Sequence, residues 1–201
     1  SEIVLTNEQQ TAYNEMIAKY SSQKGGVSLL LRLRAVGKTQ VFLKLIDEVS
    51  SRGRGVIVMV PEISLTPQVL SIFHRRYGQK VAVFHSAMSL GQRMDEWKRI
   101  KSGEATIAVG TRSAVFAPFD DIGLIIMDEE HEYTYKSEKT PRYHARDISR
   151  FRCAWHKSLL VLASATPLVE SYSAAQTGRY SLCVLKNRYG GAKLPEVVTA
   201  D

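Results

Sequence analysis

The feature that most constrains the fold is the alternation of short apolar runs with amphipathic stretches along most of the chain. The runs predicted as strands span residues 27–31, 55–60, 80–84, 105–109, 122–127 and 158–163. The stretches predicted as helices span residues 39–51, 65–77, 90–101, 145–156 and 168–176. Apolar strands separated by helices indicate an α/β fold with a mostly parallel sheet covered on both faces. Ligands in such folds bind at the carboxyl ends of the strands, so functional residues are expected there.

Composition places the chain among globular proteins. Hydrophobic residues make up 44% and charged residues 23% of the 201 residues, which excludes a disordered, collagen-like or coiled-coil chain. The apolar runs fall short of the roughly 18 residues of a membrane span, and residues 1–10 lack the pattern of a signal peptide. The two cysteines, Cys153 and Cys183, form no disulfide framework or four-ligand zinc site by themselves. We therefore expect buried cysteines in a cytoplasmic protein with no membrane partner.

The balance of charge is basic. The chain has 27 Lys and Arg residues against 20 Asp and Glu residues, a formal net charge of +7. A basic surface favours a polyanionic partner, with nucleic acid as the first candidate. The alternative is that the charge serves solubility alone, and net charge does not decide between the two.

The first motif follows the strand predicted at residues 27–31. Gly37-Lys38-Thr39 opens a helix there, as the second half of a phosphate-binding loop does. In that loop, backbone N–H groups and the helix N-terminus hold phosphates, the Lys reaches the β- and γ-phosphates and the Thr ligates Mg²⁺. The first half departs from the pattern, because Arg32 stands where glycine is expected and Arg34 and Val36 replace small residues. A Gly-Lys-Thr alone could also be only a helix start.

The second motif is acidic and follows the strand predicted at residues 122–127. Asp128 is placed to bind Mg²⁺ and Glu129 to polarise an attacking water. The alternative is an acidic helix N-terminus. A third motif, Ser164-Ala165-Thr166-Pro167, follows the strand predicted at residues 158–163. It is a weak turn signal by itself, but it completes the order of motifs found in helicases.

With these motifs the chain resembles the first RecA-like motor lobe of superfamily 2 helicases, and more narrowly the bacterial replication-restart helicases of the PriA type. The matching segments are residues 5–9, 37–39, 60–68, 85–86, 110–116, 118–119, 128–131, 135–136, 142–147, 164–167 and 170. The resemblance implies a P-loop NTPase lobe over residues 1–185. Residues 186–201 would be a linker toward a zinc-binding insertion and a second lobe.

The resemblance also implies roles for individual residues. Gly37, Lys38 and Thr39 would bind ATP, and Thr39 and Asp128 would bind Mg²⁺. The catalytic residues would be Asp128, Glu129 and Lys38. Gln9 would contact the adenine. Those that would contact the DNA backbone are Pro61, Glu62 and Thr66 in one segment and Thr111 and Arg112 in another. Ser164 and Thr166 would couple the ATP state to the grip on DNA.

The segment after the acidic motif, residues 131–157, combines basic and aromatic side chains. Cations pair with phosphates and aromatic rings stack on unpaired bases, so this composition favours single-stranded nucleic acid. The resembled family has an aromatic-rich loop at this place that senses single-stranded DNA. The residues we assign to it are Tyr133, Tyr135, Lys136, Arg142 and Tyr143. Phe151 and Trp155 are four residues apart, and we interpret them as the core face of a helix.

The function implied is an ATP-dependent 3′–5′ DNA helicase lobe that acts in replication restart in the bacterial cytoplasm. ATP and Mg²⁺ are the cofactors, and zinc belongs to the full-length protein but not to this fragment. The partners are single-stranded and forked DNA, with primosome and single-strand-binding proteins joining the full-length protein. A lobe alone is expected to unwind nothing. One alternative is an ATPase-deficient DNA-binding scaffold of the same fold, which the departures at residues 32–36 favour. Another superfamily 2 translocase is also possible, although residues 142–147 argue against it.

Overall fold

The computed structural model describes residues 2–33 and 37–186. Within them, seven parallel strands form a central sheet: β1 (Gly26–Arg32), β2 (Gly55–Met59), β3 (Val81–Phe84), β4 (Ile107–Gly110), β5 (Ile122–Asp128), β8 (Leu159–Ser164) and β9 (Ser181–Leu185). Their order across the sheet is β3-β4-β2-β5-β8-β1-β9. The helices are α1 (Asn7–Ser21), α2 (Lys38–Ser51), α3 (Pro67–Tyr77), α4 (Leu90–Lys101), α5 (Ala145–His156) and α6 (Val169–Gln176). A short antiparallel hairpin pairs β6 (Lys136–Ser137) with β7 (Tyr143–His144).

The sheet separates two hydrophobic cores, as the apolar strands predicted. On one face, α1, α2 and α3 pack on alternate strand residues such as Val56, Val58 and Ile126. On the other face, side chains of α5, α6 and the 3-10 turn at Arg112–Phe116 pack on the intervening residues such as Ile57 and Ile125. Both faces are therefore dry, and the prediction of a mostly parallel sheet covered on both sides is confirmed.

The sequence analysis did not predict helix α1, the short strands β6 and β7, or strand β9. The helix α1 begins with a capping box, in which the Thr6 hydroxyl accepts from the Gln9 N–H while the Gln9 side chain accepts from the Thr6 N–H. It buries Ala12, Met16 and Tyr20, which are spaced four residues apart. The strand β9 is the edge strand beside β1 and has mixed burial, so its sequence lacks a clear strand pattern.

The interpretation of Phe151 and Trp155 as core residues is wrong. Their side chains are 68% and 76% exposed, and their rings stack on each other outside the core. Helix α5 instead turns Ala145, Ser149 and Cys153 toward the sheet. These small side chains allow the helix to approach the sheet closely, and helical spacing alone does not reveal which face is buried.

The two cysteines lie inside the protein. Cys153 and Cys183 are free and buried, as expected. Burial raises the pKa of each thiol to about 12, so both stay protonated at neutral pH. Across the described residues, no helix is long and apolar enough to cross a membrane.

Candidate functional site

The site lies where three strands end side by side. The register pairs Leu31 of β1 with Ser164 of β8, and Ala163 of β8 with Asp128 of β5. Because parallel strands share one carboxyl edge, the residues that follow β1, β5 and β8 come together there. The three motifs recognised in the sequence therefore converge in space.

Four charged side chains meet at this edge. The Lys38 ammonium contacts Asp128 Oδ1 at 2.6 Å and Glu129 Oε1 at 2.8 Å. The Arg32 guanidinium contacts the same Glu129 oxygen at 2.6 Å. We call Arg32, Lys38, Asp128 and Glu129 the strand-end cluster. Its formal charge is balanced, and each of its side chains is less than one fifth exposed.

Burial and neighbouring charges act in opposite senses on the two carboxylates. Burial raises the pKa of Asp128 above its ordinary value, despite the opposing contact with Lys38. Burial also acts to raise the pKa of Glu129, but Lys38, together with Arg32 and His131, leaves that pKa below its ordinary value. Both carboxyls are close to cations that a phosphate could attract away, so the cluster can exchange partners when an anion enters.

The backbone around the cluster is unusual at two points. Gly37 precedes α2 with φ 110°, and a Cβ there would lie 2.8 Å from the Gln9 amide nitrogen. Only glycine fits this position without strain. Glu129 also has a positive φ, 49°, which is uncommon for a residue other than glycine.

The Gln9 side chain is committed to the chain itself in this structure. It is 3% exposed, its Nε2 donates to the Gly37 carbonyl at 2.8 Å, and its Oε1 caps α1. Gln9 thus fixes α1 to the start of α2. The reading of adenine by Gln9 stays a prediction. Arg34 and Val36 of the predicted phosphate loop lie outside the described residues, as do residues 187–201 of the predicted linker.

The motif at the end of β8 is linked to the acidic motif by hydrogen bonds. His131 Nδ1 lies 2.7 Å from Ser164 Oγ, and the Thr166 N–H donates to the same hydroxyl at 2.9 Å. His131 also lies 3.8 Å from Glu129. Ser164 is buried, whereas Thr166 is exposed. A continuous chain of contacts therefore joins Glu129 to an exposed loop.

Sequence reasoning missed Glu130, the third residue of the acidic motif. Its side chain is completely buried. One carboxylate oxygen accepts from the Leu168 N–H at 2.9 Å, and the other accepts from the Ser171 hydroxyl at 3.0 Å and lies 3.9 Å from Arg146. The sequence did contain a signal for this residue. Glu130 is an acid close to the end of an apolar strand, and neither metal binding nor water activation needs it.

The first predicted DNA segment follows β2. Glu62 is exposed and its carboxylate accepts from the Ser86 hydroxyl at 3.1 Å. The Thr66 hydroxyl caps α3 by accepting from the Val69 N–H. Pro61 is buried, and the contact of this segment with the DNA backbone stays a prediction. A proline that ends a strand here packs inward rather than toward solvent.

The second predicted DNA segment follows β4. Thr111 is 2% exposed, and the contact of this loop with DNA stays a prediction. Arg112 donates to the carbonyls of Thr134 and Lys136, at 3.1 and 3.3 Å. It therefore supports the aromatic segment after β5.

The aromatic segment divides into exposed and buried residues. Tyr133 is 83% exposed, and Lys136 and Arg142 are also exposed. Tyr143 is partly buried and packs edge-on against Phe116. Tyr135 is 1% exposed and its hydroxyl donates to the Asp128 carbonyl. The prediction that Tyr135 stacks on DNA is therefore wrong; burial, followed by the nearby acids, raises its pKa well above the ordinary value.

The residues of the strand-end cluster fit a magnesium–nucleotide. A helix N-terminus preceded by an obligatory glycine offers N–H groups to phosphate, and Lys38 supplies a cation beside it. Asp128 supplies a hard oxygen ligand of the kind that Mg²⁺ prefers, and Thr39 lies exposed in the first turn of α2. Among the described residues, no group of three or more histidine, cysteine or acidic side chains is placed to hold a metal ion.

Comparison with known proteins agrees with this geometry. The family model for DEAD/DEAH box helicases matches residues 6–174. Replication restart protein PriA of Bacillus subtilis is 46% identical over 98% of this chain and 24% of its own length. The same protein of Treponema pallidum is 46% identical over 82% of this chain and 25% of its own length.

Solved structures show the same fold at lower identity. RecG bound to a three-way DNA junction has a TM-score of 0.65 and 22% identity over 96% of this chain and 25% of that protein. The Hef helicase domain of Pyrococcus furiosus has a TM-score of 0.59 and 18% identity over 88% of this chain and 37% of that one. The chain spans about a quarter of the length of the PriA relatives. It belongs to the DEAD/DEAH box helicase family, as a RecA-like motor lobe of the kind found in PriA replication restart proteins.

Proposed function

We propose that the chain is the ATP-binding lobe of a 3′–5′ DNA helicase that acts in replication restart in bacteria. The observation that carries this proposal is the strand-end cluster. It joins Lys38 to Asp128 and Glu129 across distances of 2.6 and 2.8 Å, although these residues come from separate motifs. The 46% identity to PriA over nearly the whole chain supports the assignment to replication restart.

The chain's own residues divide the work of hydrolysis. Lys38 binds the β- and γ-phosphates, and Thr39 and Asp128 hold the metal ion. Mg²⁺, when bound, neutralises charge that develops on the phosphates. Glu129, kept ionised by its depressed pKa, accepts a hydrogen bond from the attacking water and orients it. Gln9 is proposed to read adenine once nucleotide is bound.

Coupling to DNA runs along the contacts that join Glu129, His131 and Ser164. A change at Glu129 alters the charge that lies 3.8 Å from His131, and Ser164 then passes the change to the Thr166 N–H. The proposed DNA contacts are the segment of Pro61, Glu62 and Thr66, the segment of Thr111 and Arg112, and the side chains of Tyr133, Lys136, Arg142 and Tyr143. Forked DNA, primosome proteins and single-strand-binding proteins are proposed partners of the longer protein. Zinc is proposed as an additional metal of that longer protein. The isolated lobe is expected not to unwind DNA, because ATP in such motors is shared by two lobes.

The test is calorimetric binding of the magnesium complex of the non-hydrolysable analogue AMPPNP. Lys38→Ala should abolish binding, since it removes the cation that meets the phosphates. The matched control is Lys24→Ala, which removes an exposed lysine just before the amino end of β1, at the edge of the sheet opposite the strand-end cluster. Equal binding by the wild-type chain and Lys38→Ala would contradict the proposal.

A second candidate function is a DNA-binding scaffold without ATPase activity. The observation that favours it is Arg32, which stands at a glycine position of the phosphate loop and contacts Glu129. This reading predicts no nucleotide binding by the wild-type chain, with salt-dependent binding of single-stranded DNA retained.

A further inference from the structure

Arg32 is the one member of the strand-end cluster that the helicase motifs do not explain. It ends β1, and its side chain is 15% exposed. Its Nη2 contacts Glu129 Oε1 at 2.6 Å, and Lys38 Nζ contacts the same oxygen at 2.8 Å. The two cationic nitrogens share one acceptor atom, so their separation cannot exceed these two distances combined.

Arg32 also carries a buried donor without an acceptor. Among the described residues, its Nε is buried and has no hydrogen-bond partner. A buried donor left unpaired is destabilising, and such groups usually mark a site that a ligand or water completes. The guanidinium is planar and presents its donors in a fork that fits two oxygens of a phosphate.

The position of Arg32 selects which phosphate it would meet. Lys38 occupies the place of the lysine that reaches the β- and γ-phosphates. Glu129 occupies the place of the residue beside the attacking water, which lies on the far side of the terminal phosphate. A cation that contacts Glu129 and lies next to Lys38 therefore faces the terminal phosphate.

We propose that Arg32 binds the terminal phosphate of a nucleoside triphosphate. This inference rests on the proposed function of the strand-end cluster. Without nucleotide, Arg32 is the counter-ion of Glu129. With a triphosphate bound, its donors turn to the terminal phosphate and leave the Glu129 carboxylate available to orient water. A side chain thus supplies contacts where a glycine-rich loop supplies backbone N–H groups.

The test compares triphosphate and diphosphate binding by calorimetry, with magnesium AMPPNP and magnesium ADP as probes. Arg32→Gln should weaken AMPPNP binding about tenfold, consistent with one lost charge-assisted hydrogen bond, and change ADP binding by less than about twofold. Arg32→Lys keeps the charge but loses the forked donors, so its affinity for AMPPNP should lie between those of the wild-type chain and Arg32→Gln. Arg75→Gln, an exposed arginine on α3, is the matched control.

Several outcomes would overturn the inference. Tighter binding of both nucleotides by Arg32→Gln would mean that Arg32 only blocks the site. If the affinities for AMPPNP and ADP fall by the same factor, so that their ratio is unchanged, Arg32 only shapes the loop. If Arg32→Gln does not fold, the same ratio measured with Arg32→Lys decides. Absence of any binding by the wild-type chain would instead overturn the proposed ATP-binding function, and this inference with it.

Discussion

Asp128 carries a charge that its surroundings disfavour. Its carboxylate lies within a largely buried cluster, and burial raises its pKa even though the Lys38 ammonium is 2.6 Å away. A raised pKa in the folded chain means that the ionised form costs stability relative to the unfolded chain. The cost is present above the folded pKa and disappears once the pH falls below the ordinary value of 3.8. Asp128 is therefore retained at the expense of stability, as expected of a residue that serves a ligand.

This balance predicts the effect of Asp128→Asn. The variant lacks the disfavoured charge, so it should be more stable than the wild-type chain at pH 7, each kcal/mol being worth about 2–4 °C in Tm. The advantage should shrink as the pH falls toward 4, because the wild-type carboxyl then becomes protonated. Thermal unfolding at both pH values measures this, and an advantage that grows on acidification would contradict it. The variant should also lose magnesium-dependent nucleotide binding.

The sequence predicts which residues carry the chemistry of the site better than it predicts which side chains are exposed to solvent. Lys38, Asp128 and Glu129 were predicted together because the chemistry of a phosphate site needs those residue types just after strands. The burial of Pro61, Thr111 and Tyr135 could not be predicted, because a residue type does not reveal which way its side chain points. Tyr133 and Tyr135 are two residues apart in one 3-10 turn, yet one is exposed and the other is buried beneath Asp128.

Among the elements, α6 is held in place by a side chain from another part of the chain. It has only 8 residues, and no side chain of its own N-cap residue caps it. Glu130 takes over that role by accepting from the Leu168 N–H and the Ser171 hydroxyl. A carboxylate at a helix N-terminus also interacts favourably with the helix dipole. The end of β5 and the loop that carries Thr166 are thereby fixed to each other.

Removal of this anchor should destabilise the lobe. Glu130→Ala leaves the Leu168 N–H and the nearby Arg146 without their buried carboxylate, at a cost of about 3–5 kcal/mol. Glu130→Gln keeps an acceptor and should cost less. Urea unfolding measures the loss, and hydrogen exchange should show it first in the amides of α6. Glu170→Ala, an exposed acid in the first turn of α6, is the control and should stay within about 0.5 kcal/mol. Equal losses at Glu130 and Glu170 would refute the anchor.

The success of strand prediction has a physical cause. Strands buried on both faces are apolar throughout, so β2 and β5 are conspicuous in the sequence. The edge strand β9 and the two-residue strands β6 and β7 lack such runs. Helix α5 was located correctly, but its buried face was not, since small residues rather than its aromatic ones approach the sheet.

Across the whole molecule, the proposed DNA contacts and the strand-end cluster share one edge of the sheet. Glu62 and Thr66 follow β2, Arg112 follows β4, and the aromatic segment follows β5. This arrangement follows from the parallel topology, because every strand ends at the same edge. Arg112 connects two of these segments through its bonds to the Thr134 and Lys136 carbonyls.

A surface of this kind should bind single-stranded DNA in a salt-dependent way. For single strands, the slope of log affinity against log salt is about −0.7 for each phosphate neutralised. Arg142→Gln should therefore reduce the steepness of that slope by about 0.7. Tyr133→Ala should weaken binding by about 1–3 kcal/mol, the usual effect of losing one stacked base, without changing the slope. Fluorescence anisotropy with an oligothymidine across a salt series measures both effects. Tyr172→Ala, a tyrosine on α6, is the control, and a loss of affinity there equal to that of Tyr133→Ala would contradict base stacking at Tyr133.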